Sequence, residues 1–194
     1  MAHIVVEGST DEAVLRRILS FAGIEAERTF GLRGRHQVLE SLPGYNQAAR
    51  HIGFVALVDF DNEPNCVGAF VVAHLGEPSP LMRFRVAVRA IEAWLMADRT
   101  GLADFLSISQ ARIPDDPDGV HHPKVVMVNL ARHSRRLYVR RAMVPREGSG
   151  AAVGPGYTGM LIDFASNFWN IGEALEQSPS LNRSVRAVGT LAGA

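Results

Sequence analysis

The sequence predicts an α/β fold: a mostly parallel sheet of about four strands flanked by helices, followed by a C-terminal helical extension. Three observations predict it. Short apolar, β-branched runs alternate with stretches of helical periodicity as far as residue 90, the pattern of right-handed βαβ units. The run Phe54–Val58 is apolar throughout, as a strand covered on both faces requires. Beyond Ile91 the strand signal stops, and helical stretches separated by loops rich in Pro, Asp and Gly take over. Residues 1–90 therefore read as the α/β core and residues 91–194 as an extension packed on it. No flexible linker separates them, so one compact domain is expected.

The elements follow in order. His3–Val6 is a β-rich run that stops at Glu7-Gly8. Ser9 with Glu12 three positions on spells a capping box, and Val14, Leu15, Ile18, Leu19 and Ala22 recur at helical spacing until Gly23. A short strand centred on Thr29 and Phe30 runs into the loop Gly31-Leu32-Arg33-Gly34-Arg35, and residues 37–51 read as a helix bent near Pro43-Gly44. The third strand ends abruptly in Asp59-Phe60-Asp61-Asn62. Residues 66–75 read as a helix that starts at Cys66, taken as a small buried hydrophobe. Phe84, Val86 and Val88 then alternate with Arg83, Arg85 and Arg89 as a fourth strand. In the extension, IEAWLMADRTGLADFL, PKVVMVNLARH, GMLIDFASNFW and SLNRSVRAVGTL carry helical periodicity, and residues 146–156 have the composition of a disordered loop.

Composition narrows the function classes. With 194 residues, 47% hydrophobic and 21% charged, the chain is neither collagen-like, wholly disordered nor stapled by disulfides. Lys+Arg 20 balances Asp+Glu 20, so the whole-molecule field does not drive nucleic-acid binding and a local patch must. A single cysteine excludes an intrachain disulfide and a thiolate zinc cluster. The N-terminus lacks a secretory pattern and no apolar run approaches a membrane span, so a cytoplasmic protein is expected. Among the 20 basic residues only Lys124 is a lysine, which marks a place where a compact ammonium is required or is simply chance.

Acidic residues then stand out by position. In an open parallel sheet the loops after the strands face one crevice, so groups distant in sequence converge there. Glu7 follows the first strand, and Asp59 and Asp61 follow the third. Three carboxylates held close repel one another unless a divalent cation neutralises them, and an all-oxygen set suits Mg²⁺ or Mn²⁺ better than zinc. Glu92 lies just past the fourth strand and points into the crevice or at a structural partner; Asp98 carries the same ambiguity.

Together, VVEGSTDEAVLRRIL and VALVDFDN resemble the Toprim domain of topoisomerases, primases and OLD-type nucleases, in which Glu-Gly follows the first strand and Asp-x-Asp the third. The resemblance covers roughly residues 3–90. IEAWLMAD with the later HPK is similar to a group of small bacterial Toprim-like proteins. It implies that Glu7 is a catalytic glutamate, serving as metal ligand or proton carrier, and that Asp59 and Asp61 hold Mg²⁺ or Mn²⁺. It also implies that Asp11 supports a second metal, which Glu63 is placed to join, and that Lys124 lies near the scissile phosphate; Glu92, where it points into the crevice, is a further candidate metal ligand. Each residue has a structural reading beside this one. Glu7 and Asp61 fit hydrogen-bonded turns, and Asp11 is favourable at any helix N-terminus.

Arg132, Arg135, Arg136, Arg140, Arg141 and Arg146 cluster with Tyr138 and no acidic residue. Arg135, Arg136, Arg140 and Arg141 are therefore candidates for the backbone of DNA or RNA, or alternatively a solvated or partner face. The histidines lack metal-ligand spacing; Asp115, Asp116 and Asp118 lack the rest of a calcium loop; no Gly-Lys-Ser/Thr loop is present for ATP. Topoisomerases and primases need modules that this length does not accommodate, whereas phosphodiester hydrolysis needs metals, water and a grip on the strand. The expected function is a metal-dependent nuclease of the Toprim/OLD type. The resemblance further implies phage defence with a separate ATPase partner. The alternative is a non-catalytic Toprim-like subunit that binds metal or nucleic acid and regulates a complex.

Overall fold

The computed structural model describes residues 1–60 and 66–193; Asp61 and Glu63 lie outside the described residues. The elements run β1 (Ala2–Val6), α1 (Ser9–Phe21), β2 (Ala26–Gly31), α2 (Arg35–Ala48), β3 (Gly53–Asp59), α3 (Val67–Leu75) and β4 (Met82–Ala87). They continue as α4 (Ile91–Met96), α5 (Arg99–Leu106), α6 (Pro123–Arg132), α7 (Leu137–Met143), α8 (Tyr157–Asp163), α9 (Ile171–Gln177) and α10 (Pro179–Gly189). The four strands form one all-parallel sheet in the order β2-β1-β3-β4. This is the α/β architecture expected from the alternation of elements.

Each face of the sheet carries its own core. Val5, Ala56 and Val58 pack with Val38 and Leu42 of α2 and Phe70 of α3. On the opposite face, Ile4, Val6, Leu57 and Ala87 pack with Leu15 and Ile18 of α1 and with Trp94, Leu161 and Leu181 from the later helices. β3 is central and buried on both sides, which accounts for its uninterrupted apolar sequence. Burying one such side chain is worth about 1.5–3 kcal/mol. The half-buried arginines of β4 lie on the face opposite Phe84 and Val86 and meet α10 and its C-cap: Arg83 Nε donates to Thr190 Oγ1 at 2.9 Å, and Arg85 Nε to Ser184 Oγ at 3.4 Å. The indole of Trp94 has no exposed surface and donates to Ser180 Oγ at 2.6 Å. Among the described residues no helix is long and apolar enough to cross a membrane.

Four local expectations are corrected. Ser9 and Glu12 form no capping box: Gly8 is the N-cap, and no side chain caps the helix. Glu12 instead accepts from Thr29 Oγ1 at 2.6 Å and Arg16 Nε at 2.8 Å, two donors together stronger than a reciprocal cap. Cys66 is exposed, because it precedes the first turn of α3, whose inward face is set by Phe70. β4 stops at Ala87, so Val88 is not part of the strand. Finally, residues 146–156 are tied back onto α7, with Gly154 N donating to Met143 O at 2.9 Å and Gly156 N to Ala142 O at 2.8 Å. A Cβ at Gly154 would lie 2.3 Å from Ala142 O. Glycine there serves close approach, and composition alone read it as disorder.

Candidate functional site

The sheet positions the site. All strands are parallel, so their C-terminal ends open on one side. β1 and β3 are neighbours, with Val6 in register with Leu57. Glu7, one residue past β1, accepts a hydrogen bond at its Oε1 from the backbone N of Asp59, the last residue of β3, at 2.9 Å. Asp59 Oδ1 in turn accepts from the backbone N of Ile91 at 2.9 Å, holding the first turn of α4 against the strand ends. The Gly31–Arg35 loop closes over Glu7, with Leu32 N donating to Val6 O at 2.9 Å and Gly34 N to Glu7 O at 3.0 Å. Gly31 has φ 89°, and a Cβ there would meet Val6 O at 2.3 Å. A side chain at that position would prise the loop from the strand.

Three further groups complete a cleft of about 440 Å³ lined by Glu7, Asp11, Asp59, Glu92, Lys124 and Tyr157, among others. Asp11, in the first turn of α1, is 8% exposed. Burial, then the negative charge of Glu7, push its carboxyl up to about 7; Glu92 adds to the rise, while a backbone hydrogen bond and Lys124 oppose it. Glu92, in α4, is 3% exposed. Its Oε1 accepts from the Tyr157 hydroxyl at 3.1 Å and stands 4.0 Å from Lys124 Nζ, beyond hydrogen-bond reach. Its Oε2 is buried and has no hydrogen-bond partner among the described residues. Burial and the adjacent Glu92 push the acidity of Tyr157 far down, so this hydroxyl keeps its proton and acts as a donor.

Of the residues singled out from sequence, Glu7, Asp11, Asp59, Glu92 and Lys124 thus share one cleft. Asp61 lies outside the described residues. Asp98 does not join the cleft: it is fully buried and caps α5. The arginines also lie apart. Arg135, Arg136 and Arg141 are exposed and Arg140 half-buried on and before α7; Arg140 donates to Ser134 O, and Arg136 to Tyr138 Oη at 3.1 Å. Arg140 and Arg141 border a separate shallow hollow with Arg132 and Pro145.

Sequence reasoning missed Tyr157, which announces itself only as an aromatic residue after a glycine-rich stretch. It also passed over His121 and His122. They border a cavity of about 200 Å³ that shares Asp59 and Lys124 with the cleft. Their adjacency to the single lysine was the available signal.

Among the described residues no three acids, histidines or cysteines already stand as a ready-made metal cage. The donor chemistry nevertheless suits a hard cation: four carboxylates line the cleft, and one buried oxygen, Glu92 Oε2, has no hydrogen-bond partner among the described residues. Comparison with protein-family profiles, with curated proteins and with solved structures finds no match.

Proposed function

We propose that this protein is a Mg²⁺- or Mn²⁺-dependent nuclease that hydrolyses phosphodiester bonds of DNA or RNA. The observation that carries the reading is the pairing of Glu7 and Asp59 at adjacent strand ends, one hydrogen bond apart, on a cleft they share with Asp11, Glu92 and Lys124. Glu7, Asp59 and Asp61 would hold the cation, with Asp11 supporting a second. A bound divalent cation lowers the pKa of a water and stabilises charge on phosphoryl oxygens. The chain's own residues do the rest. Lys124 carries the ammonium nearest the carboxylates and offsets negative charge that builds on a phosphate in the cleft. Ile91 N and Asp59 N fix the two carboxylates so that neither has to reorganise as substrate enters. The exposed arginines around α7 are the proposed grip on the nucleic-acid backbone, and a separate ATPase is the proposed partner.

The test is cleavage of supercoiled DNA, linear DNA and RNA in Mg²⁺, Mn²⁺ or EDTA, with Asp59→Ala as control. Cleavage is expected with metal and is expected to fall by about 10²-fold or more in the variant. Cleavage that survives both EDTA and the substitution overturns the assignment to this cleft. Absence of cleavage on every substrate, in a protein that binds Mn²⁺, replaces the nuclease with the non-catalytic subunit. The arginine grip has its own signature, a steep fall of nucleic-acid affinity with salt.

A further inference from the structure

The stretch from Arg132 to Arg146 carries six arginines and no acidic residue, in a chain whose charges cancel overall, 20 basic against 20 acidic. A polyanion is drawn to such a face. Charge alone does not say which polyanion, but the apolar groups set among the guanidiniums do. Leu137 and Tyr138 are 51% and 56% exposed, side by side at the start of α7, and Arg141 follows one turn later on the same outward face. Arg141 also borders a shallow hollow of about 380 Å³ with Arg132 and Arg140, whose remaining lining is the apolar pair Val144 and Pro145. The guanidinium of Arg140 is held there by donating to Ser134 O, and Arg136 donates to the Tyr138 hydroxyl at 3.1 Å.

A duplex turns its phosphates outward and hides its base faces in the stack, so it would use the arginines and leave the exposed leucine, the tyrosine and the apolar hollow idle. A single strand uses both: guanidiniums on its phosphates, an aromatic face and an apolar recess for its unstacked bases. We propose that α7 and the hollow beside it form a docking surface for single-stranded DNA or RNA. Tyr138 is the stacking platform, and Arg132, Arg140 and Arg141 clamp the phosphates around a base seated against Val144 and Pro145. α6 joins this surface to the cleft. Lys124 stands at one end of that helix on the cleft wall and Arg132 at the other on the hollow, about 12 Å along the axis. A strand held on the hollow therefore reaches the carboxylates within a few nucleotides. This inference names the form of the substrate and rests on the nucleic-acid reading above, independently of the metal site.

Fluorescence anisotropy in EDTA tests it, with the full chain and labelled mixed-sequence oligonucleotides of about 16 nucleotides, as DNA and as RNA, each alone and annealed to its complement. A single strand of either sugar is expected to bind about 10-fold tighter than its duplex. Tyr138→Ala is expected to weaken the strand by about 10-fold, the loss of one stacked base, and to lower the strand-to-duplex ratio with it. Tyr138→Phe keeps the ring and restores wild-type affinity. Arg141→Ala flattens the slope of log affinity against log salt by about 0.7, the single-strand value for one phosphate. A duplex bound as tightly as the strand, an unaltered affinity in Tyr138→Ala, equal losses in Tyr138→Ala and Tyr138→Phe, or an unchanged salt slope overturns the proposal. So does poly-L-glutamate that displaces the label as well as unlabelled strand, which makes the face a dock for an acidic protein. The nuclease reading fails separately. Strand binding of this kind with no cleavage of any substrate removes the catalysis and leaves the docking surface standing, whereas metal-dependent cleavage without preference for single strands in binding does the reverse. Should Tyr138→Ala lose its cooperative melt, the wild-type strand-to-duplex ratio and the Arg141→Ala salt slope decide.

Discussion

Glu92 and Asp98 sit at the two ends of one short buried stretch, IEAWLMAD, and are almost equally hidden, at 3% and 0% exposure. Their surroundings differ completely. Asp98 has both oxygens engaged by backbone, Oδ1 by Gly101 N at 2.8 Å and Oδ2 by Asn170 N at 2.7 Å. It joins α5 to the chain entering α9, inside the helical layer. Glu92, on the wall of the cleft, keeps one oxygen without a hydrogen-bond partner among the described residues. Burial of a carboxylate therefore says little about function by itself; the account of its hydrogen bonds separates a structural clamp from a candidate ligand.

The contrast breaks first at Asp98. Asp98→Ala strands two part-buried backbone N–H groups and leaves a hole where a fully buried carboxylate stood, and is expected to cost about 3–4 kcal/mol in urea unfolding, whereas Glu92→Gln, measured in EDTA, costs less than about 1 kcal/mol. Equal costs would erase the distinction. Asp11 comes next in size. Its carboxyl is raised to about 7 in the folded protein, against about 3.9 when unfolded. The folded state thus holds its proton where the unfolded state has lost it, and the protein in EDTA loses stability as pH rises from about 4 to about 7, on the order of 3 kcal/mol. Asp11→Asn is expected to flatten that slope in melts recorded at successive pH values. The smallest effect belongs to the adjacent Glu12. Although burial raises its pKa, the Thr29 hydroxyl and Arg16 bring the net value below the usual carboxylate range. Its contribution is present at neutral pH and disappears as pH falls through that lowered value. Glu12→Gln should cost about 0.5–1 kcal/mol at neutral pH and nothing in strong acid.

The sheet was legible because its signal is local. β1 and β3 are apolar runs and β4 an apolar–arginine alternation that need no knowledge of their neighbours, and the parallel order follows from the helices between the strands. The strand-end position of Glu7 and Asp59 was legible for the same reason. What escaped depends on partners far away in sequence. The capping box failed because Thr29 and Arg16 compete for Glu12. Cys66 is buried in most chains by its chemistry, but here it lies ahead of a helix whose core contact is Phe70. The glycines at 154 and 156 resemble a loose loop until the backbone of α7 is placed against them. The bond between Tyr157 and Glu92 spans 65 positions, and no periodicity announces it.

That last distance governs when the cleft can exist during synthesis. All four strands have left the ribosome once Ala87 emerges, yet Tyr157 follows only about 70 residues later, several seconds at usual elongation rates. A chain cut short before α8 would carry the strand-end carboxylates without the phenol that steadies Glu92, so translation itself would delay the assembled centre until nearly the whole polypeptide has been made.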